Sequence, residues 1–220
     1  MLQESLEKLQ HDFAAQASRV ERMLEKAITT LVKRDENLAK EVIEKDEPEA
    51  NQAEIDIELK ATEIIALYSP RAGEMRKIIA IIKDNGDLER IGDQAVNICY
   101  SALYLIPRIP VKPMIDLTRM AKIVKNMIHL SLESFLSEKL ELSNEALQKD
   151  SLVDALEEQI TRELLTYMLA DPSTIERALR LIFITRSLER IGDLATNIAE
   201  DVIYYLTGED IRHPALKNDE

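Results

Sequence analysis

The sequence repeats itself at a spacing of one hundred residues. Residues 88–93 read Leu-Glu-Arg-Ile-Gly-Asp, and residues 188–193 read the same. The repeat continues loosely, because Ala95, Asn97 and Ile98 recur as Ala195, Asn197 and Ile198. A repeat that keeps polar as well as apolar residues indicates a tandem duplication in which each half is a structural unit. The 220 residues therefore predict two domains of about 100 residues, 1–108 and 109–220.

Both halves have the composition and the periodicity of helical proteins. Hydrophobic residues make up 45% of the chain and charged residues 31%, with 5 glycines and no tryptophan. Apolar residues recur at steps of three and four, which predicts long helices rather than strands. We expect helices at 2–34, 38–44, from Pro48 to 68, 72–106, 114–139, 153–169 and 173–206. Prolines form the linker between the halves, at Pro107, Pro110 and Pro113.

This pattern predicts an all-α fold made of two tandem antiparallel three-helix bundles. In the first half we expect Pro48 to separate 38–44 from the second helix. The spacing of the two halves also indicates a one-residue insertion near Pro48. Long helices and a kinked linker allow the bundles to lie end to end or side by side, and the sequence leaves both arrangements open.

The charge balance narrows the class of partner. The chain has 28 basic and 41 acidic residues, for a net charge of −13. Without a basic cluster, which we do not find in the sequence, such a chain would repel nucleic acid. Metal cations or basic protein surfaces fit better. The single cysteine, Cys99, fits a reducing compartment, and its apolar helical position predicts a buried, inert thiol. We find no signal peptide or membrane span, so we expect a cytoplasmic protein.

A helical wheel divides the duplicated segment into two stripes. Leucine, isoleucine and alanine side chains form an apolar stripe that packs into the bundle. The polar residues step by four on the nearly opposite face, so we expect them outside the core. They are Glu89, Asp93 and Asn97 in the first half, and Glu189, Asp193, Asn197 and Asp201 in the second.

The second helix of each half offers further oxygen ligands. Asp150 and Asp154 are one helical turn apart and are followed by Glu157 and Glu158; their counterparts in the first half are Glu47, Asn51 and Glu54. If the second and third helices are neighbours, four or more oxygen atoms converge on each bundle. Oxygen-only ligation suits Mg, Ca, Mn and iron, with zinc also possible. The plain alternative is a solvated acidic face, because like charges one turn apart cost only about 0.2–0.5 kcal/mol per pair.

Two other features of the repeat have structural and functional interpretations. Arg90 and Arg190 lie beside the carboxylates and could simply form ion pairs with them. Gly92 and Gly192 lie mid-helix, where glycine costs up to about 1 kcal/mol relative to alanine. Close approach of a neighbouring helix is the preferred explanation, and room for a ligand is the alternative.

No catalytic pattern emerges. A ferritin-like di-iron oxidase needs inward-facing Glu-x-x-His motifs. None of the three histidines, His11, His129 and His213, has that spacing. Phosphate-binding loops, nucleophile elbows and Cys-x-x-Cys motifs are also lacking. The sequence therefore predicts a binding or regulatory module, not an enzyme.

The tandem bundles with Glu-x-x-x-Asp on each third helix resemble the PhoU family. The similarity extends over nearly the whole chain, including 67–70, both hexapeptides, the proline linker and the ending 204–209. It implies a cytoplasmic negative regulator of the phosphate regulon. Such a protein links the ATPase subunit of the phosphate ABC transporter to a membrane-bound sensor histidine kinase. It is commonly a homodimer, and it meets the membrane only through its partners.

The resemblance also implies metal ligands, since some members carry iron or zinc clusters on their acidic motifs. The matching positions are Glu89, Asp93, Asn97, Asp150, Asp154, Glu189, Asp193, Asn197 and Asp201. Asn97 and Asn197 stand in the third motif position of both halves, where a carboxylate would add charge. The Glu47/Asn51 pair of the first half is shifted by the insertion near Pro48 and lacks one carboxylate, so we expect the first site to bind metal more weakly. The alternatives are a metal-binding helical protein unrelated to phosphate, and a purely structural adaptor that tolerates replacement of the carboxylates.

Overall fold

The computed structural model describes residues 1–211 and contains no strand in that range. His213 lies outside the described residues. The first half consists of α1 (Leu2–Lys33), α2 (Glu36–Glu41), α3 (Glu47–Tyr68) and α4 (Ala72–Leu105). The second half consists of α5 (Ile115–Ser137), α6 (Leu140–Leu147), α7 (Asp150–Ala170) and α8 (Ile175–Thr207). The all-α prediction is confirmed. Most predicted helix ends agree with the structure to within a few residues, but α6 was not among the predicted helices, and the predicted break at Pro48 is absent.

Local chemistry explains where the helices end. Arg34, Ser69 and Glu138 adopt the left-handed conformation directly after α1, α3 and α5, which turns the chain at each point. The Asp35 carboxylate accepts a hydrogen bond from the Asn37 backbone N–H and caps α2. The Asp171 carboxylate likewise accepts a hydrogen bond from the backbone N–H of Ser173 and caps the short 3₁₀ turn that leads into α8. The segment with the three prolines is irregular and joins α4 to α5.

The predicted break at Pro48 is wrong. The helix continues from α2 to α3 through one π turn, Val42–Asp46. The backbone N–H of Glu47 donates to the carbonyl of Val42, five residues back. A π turn accommodates one extra residue within a helix, which accounts for the one-residue insertion inferred from the sequence. Pro48 is then tolerated because it lies in the first turn of α3, where the carbonyl ladder is already shifted.

The two bundles lie side by side and antiparallel. Lys83, early in α4, pairs with Asp201, late in α8, whereas Tyr104, late in α4, donates to Glu176, early in α8. Helices α1 and α5 are also antiparallel neighbours, linked by the ion pair between Glu25 and Lys125 at 2.8 Å.

The four long helices α1, α4, α8 and α5 therefore form a central bundle. Helix α3 packs on α1 and α4, and α7 packs on α5 and α8, so these two helices lie on the outside. A single apolar cluster runs through both halves. This arrangement places the carboxylates of the duplicated segments at two separate seams, one between α3 and α4 and one between α7 and α8.

Candidate functional site

The seam between α7 and α8 brings together five carboxylates, which we call the second carboxylate site: Asp150, Asp154, Glu157, Glu189 and Asp193. These carboxylates lie close enough for their negative charges to raise one another's pKa. Burial raises the pKa of Glu189, and so do the charges of Asp193, Asp154, Glu157 and Asp150. Burial, Asp154 and Asp193 raise the pKa of Asp150. The site thus holds negative charge that a bound cation would relieve.

The seam between α3 and α4 carries four carboxylates, the first carboxylate site: Glu47, Glu54, Glu89 and Asp93. Burial raises the pKa of Glu47, with a further increase from Asp93. Burial raises the pKa of Glu89 as well, followed by the charges of Asp93, Glu54 and Glu47. In both halves the second and third helices are therefore neighbours, and their carboxylates converge. The sequence had predicted this convergence only if those helices were adjacent.

Exposure agrees with the predicted outward stripe for the first two positions of each motif. Glu89 and Glu189 are half-buried, and Asp93 and Asp193 are exposed. Asn51, Asn97 and Asn197 are exposed too. Asn97, however, lines the groove between α4 and α8, away from α3.

Asp201 departs from the prediction. It is buried, with 6% of its surface exposed, and its carboxylate accepts from the Lys83 ammonium at 2.7 Å. A step of four residues advances 40° around a helix, so three steps from Glu189 rotate the stripe by about 120°. That rotation carries Asp201 out of the second carboxylate site and into the contact between α4 and α8. The expectation that Asp201 continues the exposed stripe is wrong.

Glu157 also belongs to the second carboxylate site, although the sequence named it only as a residue that follows Asp150 and Asp154 and not among the positions that match the family's motifs. The signal was in the sequence, because Asp150, Asp154 and Glu157 follow the steps of four and three that keep residues on one helix face. Its counterpart in the first half is Glu54, which we did include.

The flanking arginines have different partners in the two halves. Arg90 donates to Asp87 at 2.9 Å, one turn earlier, rather than to Glu89 or Asp93. Its charge still lowers the pKa of Glu89. Burial and the charge of Asp154 raise the pKa of Asp193, and Arg190 offsets only part of that rise. Neither arginine neutralises its carboxylate site.

The two glycines of the repeat pack closely against neighbouring helices. A Cβ atom on Gly92 would lie 3.4 Å from Cε of Met23 in α1. One on Gly192 would lie 3.4 Å from Cγ1 of Val153 in α7. Both glycines are buried at contacts between helices, where the preferred sequence explanation, close approach of a neighbouring helix, places them. At 3.4 Å an added Cβ would make an ordinary van der Waals contact, so packing alone does not require glycine. Burial of Cys99 likewise raises its pKa to about 12, as expected of an unreactive thiol.

The donor chemistry at both seams suits a hard or borderline cation, because all the candidate ligands are carboxylate oxygens. Across residues 1–211, however, no three Asp, Glu, His or Cys side chains are arranged so that they could hold one ion. Coordination would require the carboxylates to rotate toward one another. Surface carboxylates can do so readily, because they are exposed or half-buried.

Comparison with known proteins decides the family. A sequence model of the PhoU domain matches this chain twice, at residues 14–102 and 117–202. This chain belongs to the PhoU family. The phosphate-specific transport system accessory protein PhoU homolog of Aquifex aeolicus is 40% identical over 212 residues, which cover 96% of each chain. The PhoU accessory protein of Escherichia coli is 36% identical and is matched over 86% of its length.

Solved structures confirm the fold. The crystal structure of PhoU from Pseudomonas aeruginosa superposes with a TM-score of 0.92 at 35% identity, covering 95% of this chain and 100% of that one. The phosphate transport system regulatory protein PhoU from Streptococcus pneumoniae gives a TM-score of 0.88 at 26% identity, covering 96% and 99%. PhoU proteins are regulatory accessory proteins rather than enzymes, in agreement with the sequence prediction. The position of the domain boundary, 1–108 and 109–220, stays a prediction.

Proposed function

We propose that this PhoU-family chain regulates phosphate uptake as a cytoplasmic accessory protein of the phosphate ABC transporter. The observation that carries the proposal is the 40% identity to the Aquifex aeolicus accessory protein over 96% of both chains. In the finer form of the proposal, the chain is a homodimer that contacts the transporter ATPase and a sensor histidine kinase. It keeps the kinase from activating its response regulator when phosphate is plentiful. No helix within residues 1–211 is long and apolar enough to cross a bilayer.

A reporter assay tests the regulatory role. Deleting the gene from its host should turn on a phosphate-regulon reporter in phosphate-replete medium, because the kinase would lose its inhibitor. Expression of the chain in trans should restore repression. A reporter that stays repressed after deletion would contradict the proposal. Purified ATPase subunit and kinase cytoplasmic domain, each immobilised separately, test the two contacts directly.

The second part of the proposal is that iron or zinc binds the two carboxylate sites. Glu47, Glu54, Glu89 and Asp93 would hold metal at the first site. Asp150, Asp154, Glu157, Glu189 and Asp193 would hold it at the second. The metal would supply positive charge that neutralises each cluster and could bridge to acidic groups of a partner. The second site has five carboxylates and the first has four, which supports stronger binding at the second.

Metal analysis of protein purified without chelators tests this idea. We expect Asp193→Asn to lower the amount of bound metal, because it removes a ligand. Added iron or zinc should then raise the unfolding temperature of this variant less than that of the wild type. Asp56→Asn is the matched control, since Asp56 is an exposed aspartate elsewhere on α3. Equal metal content in the wild type and both variants would contradict binding at the second site. That result would leave the reporter assay, and with it the regulatory proposal, unaffected.

A further inference from the structure

A groove between α4 and α8 concentrates positive charge on an otherwise acidic protein. Its volume is about 370 Å³, and its lining includes Tyr100 and Ser101 from α4 and Phe183, Arg186, Ser187 and Arg190 from α8. A third arginine, Arg180, also lines it and stacks on Tyr104. No carboxylate contributes to the lining. We found no basic cluster in the sequence, because these arginines are interspersed with apolar residues and meet only through the packing of α8 on α4.

The internal repeat provides a matched comparison at the opposite end of the same helix pair. There, Lys83 pairs with Asp201, and Arg90 pairs with Asp87. At the groove, serines occupy the positions equivalent to both aspartates, since Ser101 corresponds to Asp201 and Ser187 to Asp87. At these two positions, one end of the helix pair therefore has aspartates that pair with its cations, whereas the groove end has serines, which carry no charge.

Arg186 illustrates this difference most clearly. It is exposed, and its guanidinium makes no ion pair or hydrogen bond with any other residue in the range 1–211. Gly86 occupies the equivalent position in α4. Arg190 lies near Asp193 and offsets part of the rise in the pKa of Asp193 that burial and the charge of Asp154 cause. Arg186 and Arg190 also line the neighbouring pocket that contains Glu157, Glu189 and Asp193, but within residues 1–211 neither guanidinium forms an ion pair with these carboxylates. Their donors can therefore bind carboxylates from outside the chain.

An exposed apolar stripe continues from the arginines toward the start of α8. Ile175, Leu179 and Phe183 follow at steps of four and are 41%, 40% and 46% exposed. Together with Arg186 and Arg190 they occupy one face of α8 over about 22 Å, which is roughly four helical turns. A free anion would need only the arginines. A combined apolar and basic face of this length matches an extended partner.

We propose that this α4–α8 groove and the adjoining face of α8 form a docking site for an acidic amphipathic helix of a partner protein. Apolar side chains of that helix would cover Ile175, Leu179 and Phe183, and its carboxylates would accept from Arg186 and Arg190. Charge complementarity favours such a partner over a second copy of this chain. If two copies paired along this face in antiparallel orientation, the arginines of each copy would lie against the apolar residues of the other. If they paired in parallel, the arginines of the two copies would lie against each other and repel.

Fluorescence anisotropy with two synthetic peptides tests the proposal. Both are helix-forming, about 18 residues long, with leucines at i, i+4 and i+8. One carries glutamates on the following two turns of the same face, and the other carries lysines there. We expect the glutamate peptide to bind about tenfold more tightly than the lysine peptide, with affinity that falls as salt rises.

Variants locate the binding surface. Arg186→Glu and Phe183→Ser should each weaken binding of the glutamate peptide about tenfold or more. Arg186→Glu should also improve binding of the lysine peptide, which a merely unfolded variant would not do. Arg22→Glu is the matched control, because Arg22 is an exposed arginine on α1 outside the groove, and it should change the affinity by less than about twofold.

Three results would overturn the proposal. The first is equal affinity for the two peptides. The second is an effect of Arg22→Glu as large as that of Arg186→Glu. The third comes from analytical ultracentrifugation: if Phe183→Ser converts an oligomer into a monomer and the glutamate peptide does not compete, the face is a self-association surface.

Discussion

Asp84 lies in α4 with none of its surface exposed, and neither carboxylate oxygen has a hydrogen-bond partner among the described residues. Burial raises its pKa well above the usual value, and the charges of Asp201 and Asp87 raise it further, whereas Lys83 lowers it. Burial and the neighbouring carboxylates therefore favour the protonated form of Asp84 in the folded state. The equivalent position of α8 is Ile184, also fully buried, so the fold accepts an apolar residue at the matching place.

The pH dependence of stability follows from this residue. An aspartate in the unfolded chain has a pKa of about 3.9, and Asp84 in the folded protein has a higher one. The folded state therefore binds more protons than the unfolded state above about pH 4, and the contribution of Asp84 to stability is lost as the pH rises through that window. We expect Asp84→Asn to be more stable than the wild type at pH 7 by about 1–3 kcal/mol.

Urea unfolding at several pH values measures this effect. The difference between Asp84→Asn and the wild type should be small near pH 4 and should grow toward neutral pH. Asp56→Asn, at an exposed position, should show no such growth. A constant difference across the pH range would mean that Asp84 does not change its protonation on unfolding.

At the scale of the helix, apolar periodicity and capping residues predicted most of the helices. These rules assume a regular and short α-helix, and the predictions were wrong where that assumption does not hold. Periodicity and caps placed α1, α4, α5 and α8, because each has a continuous apolar stripe and a clear stop. Pro48 was read as a break, because the rule for proline assumes a regular α-helix, and the π turn of Val42–Asp46 removes that assumption. The prediction for Asp201 was wrong for a related reason, since residues spaced four apart rotate progressively around a long helix and leave the face on which the series began.

Glycine within α4 offers a prediction at this scale. A Cβ atom on Gly86 would meet nothing within 4 Å, so alanine would add helix propensity without a clash. Gly86→Ala should raise the free energy of unfolding by about 0.5–1 kcal/mol. Gly92→Ala is the comparison in the same helix, because Gly92 is buried and its Cβ would contact Met23 at 3.4 Å, so its effect also includes packing against α1. Thermal unfolding followed by circular dichroism measures both. A Gly86→Ala variant no more stable than the wild type would show that α4 needs flexibility there.

At the scale of the whole molecule, the sequence predicted the features that lie within each bundle and recur in both halves. It did not predict the features that form where the two bundles pack together. The composition of both carboxylate sites was predictable, since each site joins residues from successive helices of one bundle. The arginine groove was not, because Arg186 and Ser101 belong to different halves and meet only through the antiparallel contact of α4 with α8. That contact also explains why the sequence left the arrangement of the bundles open.

The same packing between repeats predicts how the protein unfolds. Phe13 of α1 and Phe135 of α5 are both fully buried and form an edge-to-face pair with ring centroids 5.0 Å apart. Their contact joins the two bundles, and one apolar cluster extends through both. We therefore expect a single cooperative unfolding transition for the entire chain rather than one transition for each half.

Phe13→Ala tests this cooperativity, since it should destabilise the second bundle although the substitution lies in the first. The expected loss is about 3–5 kcal/mol, from the apolar contacts removed and the cavity left behind. Calorimetry should show one transition shifted to lower temperature, and amide hydrogens of α7 should lose protection to the same extent as those of α3. Val32→Ala, at an exposed position on α1, should leave both unchanged. A second transition that keeps the wild-type temperature would mean that the bundles unfold independently, despite the aromatic pair between them.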